Sequence, residues 1–253
     1  MDSGLKGKVA LVTGAGSPIG FGKAIAIALA EEGCDIIAND INLQDVQQTA
    51  EDINKLGQRA IAVKADISNG AEVDAMVEEG LKTFGKIDIL VNNAGIGVSG
   101  KPFLELTEKE WDWMINVNFK GVLYCSRAVI PQMIERKSGK IINISSDAGR
   151  AGVPTATVYA ATKAAVVSFT KSLAIELAPM GINVNGILPG TAKTNLEKNA
   201  TPEFMEFLYS NLPPVGRLTE GRDIANMVLF FASDLANDIA GQNISVDGGF
   251  VMY

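Results

Sequence analysis

The stretch from residue 8 to residue 33 constrains this chain more than any other. Lys8-Val9-Ala10-Leu11-Val12-Thr13 is short and almost wholly apolar, and it passes straight into Gly14-Ala15-Gly16-Ser17-Pro18-Ile19-Gly20-Phe21-Gly22. An alanine-rich helical pattern follows over 23–32 and is closed by Gly33. An apolar run without alternation has no face to give to water, so it reads as a strand buried on both faces of a parallel sheet. The alternation continues with strands at 35–40, 60–65, 88–91, 140–146, 183–188 and 243–246. Helical patterns lie between them, at about 43–56, 71–84, 108–136, 158–177 and 220–233. The expectation is a single α/β domain over 1–253: a doubly wound parallel sheet of about seven strands, helices on both faces, and ligands at the carboxyl ends of the strands. No linker-like, low-complexity or repeated segment interrupts it. The stretch at about 195–218 is less regular, with Pro202, Pro213 and Pro214 among exposed-looking Phe204, Phe207 and Tyr209.

Strand, glycine-rich turn and helix together form the context in which glycines serve phosphate binding. Gly14, Gly20 and Gly22 let the backbone approach a pyrophosphate, which then rests on the helix N-terminus. The second strand ends in Asp40, 18 residues beyond Gly22 (40 − 22). That is close to the spacing of about 20 at which an acid reaches an adenosine ribose. A carboxylate there accepts from two ribose hydroxyls and repels a 2′-phosphate. Neither Ile19 nor Ile41 can pair with a phosphate, so NAD is favoured over NADP. A helix cap or loop carboxylate is the plainer alternative for Asp40. Asp66, at another strand end, is placed to meet an adenine amino group, and Asn92 and Asn93 can fix a loop beside the cofactor. Each of these alone also suits an ordinary turn.

Bulk properties close off other chemistries. The net charge of −7 leaves no basic footprint for nucleic acid or anionic membrane. With no histidine in 253 residues there is no Ser-His-Asp triad, no histidine base and no histidine metal ligand; no metal is expected. Cys34 and Cys125 have no C-x-x-C spacing and read as small buried hydrophobes. Residues 1–8 have no apolar core of a signal peptide and no later run has the length of a membrane span, so the cytoplasm is the simplest address.

Over 158–177 an alanine-rich helix places Tyr159 and Lys163 at i and i+4, on one face. Paired this way, a phenol and an ammonium suggest an acid whose proton is easier to remove. A tyrosine pKa near 10 must fall by roughly three units, about 4 kcal/mol, to work near neutrality, and a cation supplies part of that. A tyrosine at a core edge with a lysine in solvent fits the same spacing. In the 108–136 helix, Asn118 is locally unfavourable because its side chain competes for backbone hydrogen bonds, and it is a candidate kink.

Taken in order, these motifs resemble the short-chain dehydrogenase/reductase family over nearly the whole chain, from Gly7 to Gly249. The glycine loop is similar to that family's T-G-x-x-x-G-x-G, with five residues rather than three between Gly14 and Gly20; the extra length falls around Ser17-Pro18. Asn92-Asn93-Ala94-Gly95 is similar to its N-N-A-G stretch. Asn118, Ser146, Tyr159 and Lys163 match its catalytic tetrad. Pro189-Gly190 and the run Thr191 to Thr194 match the turn that meets the nicotinamide carboxamide. The resemblance implies a Rossmann fold and hydride transfer between nicotinamide and a carbinol or carbonyl carbon. Tyr159 would be the acid–base and Ser146 would hold the substrate oxygen. Lys163 would bind the nicotinamide ribose and lower the Tyr159 pKa, while Asn118 would hold a water that links Lys163 to solvent. The cofactor set is Gly14, Ser17, Gly20, Gly22, Asp40, Asp66, Ile67, Asn93, Ala94, Gly95, Tyr159, Lys163, Pro189, Gly190, Thr191 and Thr194. Substrate contacts are expected at 96–103, 147–157 and a lid at about 190–218. Arg150 would pair with a local acid or meet an anionic group of the substrate. The general appearance is closest to 3-oxoacyl-thioester reductases. NAD-linked hydroxyacyl-CoA or cyclic alcohol dehydrogenases are the competing reading, and a silent NAD(H)-sensing scaffold the remote one. A homotetramer built on the 108–136 and 158–177 helices is implied.

Overall fold

The computed structural model describes residues 3–98, 100–192 and 201–252. Seven strands form one sheet: β1 Val9–Val12, β2 Asp35–Asp40, β3 Ala60–Lys64, β4 Ile89–Asn92, β5 Gly139–Ile144, β6 Ile182–Pro189 and β7 Asn243–Val246. Their order is β3-β2-β1-β4-β5-β6-β7, and every neighbouring pair is parallel. The chain winds outward from β1 in one direction to β3, then crosses to β4 and winds the other way. The crevice between the ends of β1 and β4 is therefore where a ligand can enter.

Period two along each strand separates two cores. Ala10, Val12, Ile36, Ala38, Ile89, Val91, Ile142 and Ile144 point to one face, covered by α1 (Phe21–Glu31), α2 (Leu43–Lys55) and, from Gly221–Ala232, α9. Val9, Leu11, Ile37, Leu90 and Ile141 point to the other, under α3 (Gly70–Phe84), α5 (Gly121–Arg136) and α7 (Thr157–Leu177). The buried strands and the absence of a polar face match the expected doubly wound α/β fold.

Three segments differ from the expectation. The long 108–136 helix is interrupted: α4 (Glu108–Ile115) passes through a π-helical turn, Asn116–Lys120, into α5. Within the irregular stretch lies a helix, α8 (Pro202–Ser210). Its proline stands at the first helical position, where a missing N–H costs nothing, so Pro202 opens a helix here rather than breaking one. A short helical turn, α6 (Ala148–Ala151), was also not foreseen. Among the described residues no helix is long and apolar enough to cross a membrane.

Candidate active site

A cleft of about 550 Å³ opens at the carboxyl ends of the strands. Its first wall is the glycine loop. Gly14 has φ +66° and a Cβ there would lie 2.8 Å from Ala94 Cα, so the position demands glycine on both counts. A Cβ on Gly22 would fall on the Gly14 carbonyl oxygen, which brings the start of α1 against the turn. The longer loop closes on itself through Gly20 N–H donating to the Ser17 carbonyl at 3.1 Å. Three other helices have side-chain caps, from Asn42, Asn69 and Thr107. Among the described residues no N-cap side chain caps α1 and no acid lies in its first turn, so its leading amides can meet an anion.

Asp40 lies across this loop. Its Oδ2 accepts the Gly16 N–H at 2.9 Å and its Oδ1 the Asn42 N–H at 3.0 Å. Gly16 was not among the expected site residues. Its signal is steric: a Cβ would stand 2.9 Å from the Asp40 carboxyl carbon. Asp66 and Ile67 line the cleft beyond β3, with Asp66 Oδ1 capping Ser68 through its N–H and hydroxyl. The Thr13 hydroxyl accepts the N–H of both Asn93 and Ala94 at 3.0 Å, and Asn93 Nδ2 donates to the Thr13 and Gly14 carbonyls. The β4 loop is thereby latched to the glycine loop. Asn92 points the other way. Its Nδ2 donates to Asn143 Oδ1 at 2.8 Å, and Asn143 donates to Thr170, a buried polar chain under α7.

The four tetrad positions converge on one end of the cleft. Buried positions on α7 fall at 163, 166, 170, 173 and 177, so Lys163 belongs to the core-facing stripe and not to solvent. Lys163 Nζ donates to the Ile144 carbonyl at 3.0 Å and stands 5.8 Å from the Tyr159 ring centre. Burial pushes its pKa down to about 8. Ser146, just past β5, lines the cleft with Tyr159, and its Oγ accepts the Ala148 N–H at 3.2 Å. Burial holds the Tyr159 pKa above the usual tyrosine value, only partly offset by Ser146. Burial is the larger influence on Tyr159 in the protein alone, and the Lys163 ammonium is held by the Ile144 backbone carbonyl. The phenol keeps some open surface toward the cleft, so that desolvation is incomplete.

Asn118, 1% exposed in the π turn, uses both ends of its amide on the loop after β4. Oδ1 accepts the Ile96 N–H and Nδ2 donates to the Ile96 carbonyl, both at 2.8 Å, with a third bond to Thr162 Oγ1 at 3.1 Å. A Cβ on Gly95 would lie 3.2 Å from Lys163 Nζ and 3.4 Å from Asn118 Oδ1, so glycine leaves the space between them open. Pro189, Gly190 and Thr191 line the cleft at the end of β6, while Thr194 lies outside the described residues. Arg150 donates to the Asn243 carbonyl at 2.9 Å, under the sheet end. One feature no motif signalled is a second buried acid, Asp247, beside Asp147.

The residues fit a dinucleotide: uncapped amides and a glycine cradle at one end, a carboxylate at Asp40, and a phenol, hydroxyl and amine at the other. A family profile described as enoyl-(acyl carrier protein) reductase matches residues 14–251. The chain is 42% identical, over 99% of both chains, to the (2S)-[(R)-hydroxy(phenyl)methyl]succinyl-CoA dehydrogenase subunit BbsD of Thauera aromatica. It is 41% identical to a 3-oxoacyl-[acyl-carrier-protein] reductase of Staphylococcus epidermidis, over 97% of this chain and 99% of that one. Among solved structures it is similar to a 3-ketoacyl-(acyl-carrier-protein) reductase from Brucella melitensis complexed with NADH. The TM-score is 0.90 at 39% identity, covering 98% of this chain and 100% of that one.

Proposed function

We propose that this chain, which belongs to the short-chain dehydrogenase/reductase family, takes NAD in preference to NADP and acts on an acyl thioester. It is an NAD(P)-linked oxidoreductase of the oxoacyl/hydroxyacyl type, as its similarity to the reductases and the CoA dehydrogenase establishes. The NAD preference rests on Asp40, whose carboxylate faces the glycine loop and would meet a 2′-phosphate with like charge. The Brucella neighbour was complexed with NADH, which supports the same reading.

The roles follow from geometry. Bound NAD supplies the hydride acceptor, held by the uncapped start of α1, Asp40 and the Asn93–Gly95 loop. Tyr159 exchanges the proton of the substrate oxygen, within hydrogen-bond reach of it. Ser146, on the same cleft wall as that phenol, donates to the same oxygen and holds it where charge develops. Lys163 stands behind Tyr159 as the buried cation. The Asn118 side chain fixes the Ile96 backbone and so the wall beside Tyr159, and its own backbone in the π turn would hold the water that links Lys163 to solvent. The remaining cofactor residues are Gly14, Ser17, Gly20, Gly22, Asp66, Ile67, Pro189, Gly190, Thr191 and Thr194.

Apolar surface from Ile96, Val117, Val153, Ala156, Met205 and Phe250 on the cleft suits an acyl chain. The segment over about 190–218 acts as the lid of the single domain, with Met205 of α8 reaching the cleft. Similarity to the Thauera dehydrogenase supports one variant, an NAD-linked hydroxyacyl-CoA dehydrogenase running in the oxidative direction, because that relative is named for a hydroxyacyl-CoA. A cytoplasmic homotetramer completes the proposal. The decisive experiment is a panel of hydroxyacyl and oxoacyl thioesters and cyclic alcohols assayed with both cofactors. Thioester turnover with NAD is expected; turnover of simple or cyclic alcohols alone would sink the substrate class. Tyr159→Phe should retain NADH binding and lose turnover by orders of magnitude, and near-normal rates in that variant would remove Tyr159 from the chemistry.

A further inference from the structure

Asp147 follows Ser146 at the end of β5, and Asp247 follows β7; β6 lies between those strands. Both carboxyl groups are only 5% exposed. Asp147 Oδ1 accepts the Ser245 hydroxyl at 2.8 Å, while Oδ2 is fully buried and receives no donor. Asp247 is two residues beyond Ser245, on the same side of the strand end whose hydroxyl meets Asp147, and its charge acts on Asp147. Asp247 itself is fully engaged: Oδ1 accepts the Gly249 N–H at 2.9 Å and Oδ2 the Val251 N–H at 2.6 Å. Those bonds shape a turn in which Gly248 and Gly249 both have positive φ, and the turn presents Phe250 to the cleft.

Two carboxylates this close and this dry repel each other, and a proton on Asp147 removes the repulsion and gives Oδ2 a donor to offer. We propose that Asp147 carries a proton at neutral pH, and that this proton, beside Asp247, holds the Phe250 turn against the substrate cleft. Among the described residues, the surrounding charges are these. Arg150 on α6 attracts the ionised form but donates to the Asn243 carbonyl. Lys163 and Tyr159 on α7 lie across Ser146 from the pair, with Nζ bonded to Ile144. From β6 come only uncharged Pro189 and Gly190, the former accepting the Asp147 N–H at 3.2 Å. Burial first, and then the Asp247 charge, push the Asp147 pKa up to about 7 against the Ser245 bond and Arg150. Asp147 is therefore a positioning residue, acting through Asp247 and the turn.

Infrared difference spectra of the full-length protein between about pH 5.5 and 8.5 test the proton directly. A buried carboxylic C=O band should disappear with a midpoint near neutrality, be missing in Asp147→Asn, and move to lower pH in Asp247→Asn, where the like charge is gone. The Michaelis constant for a hydroxyacyl thioester should rise several-fold through the same midpoint in the wild type and lie flat in Asp147→Asn. The pH dependence of kcat that belongs to Tyr159 should stay in both. A wild type without the band, or a band that persists in Asp147→Asn, overturns the proton on Asp147. A flat wild-type Michaelis constant overturns its link to the cleft. The infrared arm needs no substrate, so failure of the thioester reading leaves it intact.

Discussion

Truncating Asn118 to alanine tests whether the tetrad asparagine works by holding backbone. The change deletes three hydrogen bonds, two to Ile96 and one to Thr162. Thr162 loses little, because its hydroxyl still donates to the Tyr159 carbonyl at 2.7 Å. Ile96 is left with an unpaired N–H and an unpaired C=O. A polar group stranded in this way costs about 1–3 kcal/mol. Ile96 is only part-buried, so water can reach some of it, and the low end applies: roughly 2–3 kcal/mol for the two groups together. For a chain of this length that is a fall in Tm of about 5–10 °C. The same loop carries Gly97, whose Cβ position is 3.2 Å from the Tyr159 ring, so turnover should fall alongside stability. Thermal unfolding and steady-state kinetics on the same preparation read both. Were Asn118→Ala to keep the wild-type Tm while losing turnover, backbone pinning would be the wrong account and a proton-relay role the right one.

Two further outcomes follow from packing and burial. Gly22→Ala puts a methyl group on the Gly14 carbonyl oxygen and 2.6 Å from Asn93 Nδ2, which is itself held by two carbonyls and cannot yield. NADH affinity, followed by fluorescence, should drop at least ~10-fold, the equivalent of about 1.4 kcal/mol; unchanged affinity would refute the close approach. Burial pushes both thiols, Cys34 and Cys125, up to about 12. At pH 8 the native protein should leave a disulfide reagent unreacted for minutes and consume two equivalents in denaturant.

The sheet was legible because burial on both faces leaves a plain trace. β2 and β7 coincide with the expected ranges, and the other strands differ by one or two residues at their ends, where fraying and capping compete. Legibility failed at α8, where Pro202 among other prolines read as irregular chain, although a proline at a helix start is neutral. It failed again at the π turn. The unfavourable Asn118 marked the place, but only the partner, a backbone 22 residues earlier, explains why the helix bends there. Propensity is local, and the compensation for breaking it is not.

The same distinction separates the parts of the site. Glycines announce a phosphate loop because their effect is on their own backbone, and Tyr159 and Lys163 announce a pair because a helix repeats every few residues. Asp147 and Asp247 are 100 residues apart (247 − 147) and each follows a different strand, so nothing along the chain marks their approach. Parallel winding brings all strand ends to one edge, and residues that follow different strands become neighbours there whatever their separation in sequence. Ser146 and Asp147 therefore face different partners: Ser146 lines the cleft with Tyr159 of α7, and Asp147 accepts the Ser245 hydroxyl of β7 across β6. Chemistry and the shape of the cleft wall are thus set by adjacent residues on one short turn. A substitution at Asp147 that shifts the pH dependence of substrate binding without moving that of kcat would show the two functions to be separable at a single peptide bond.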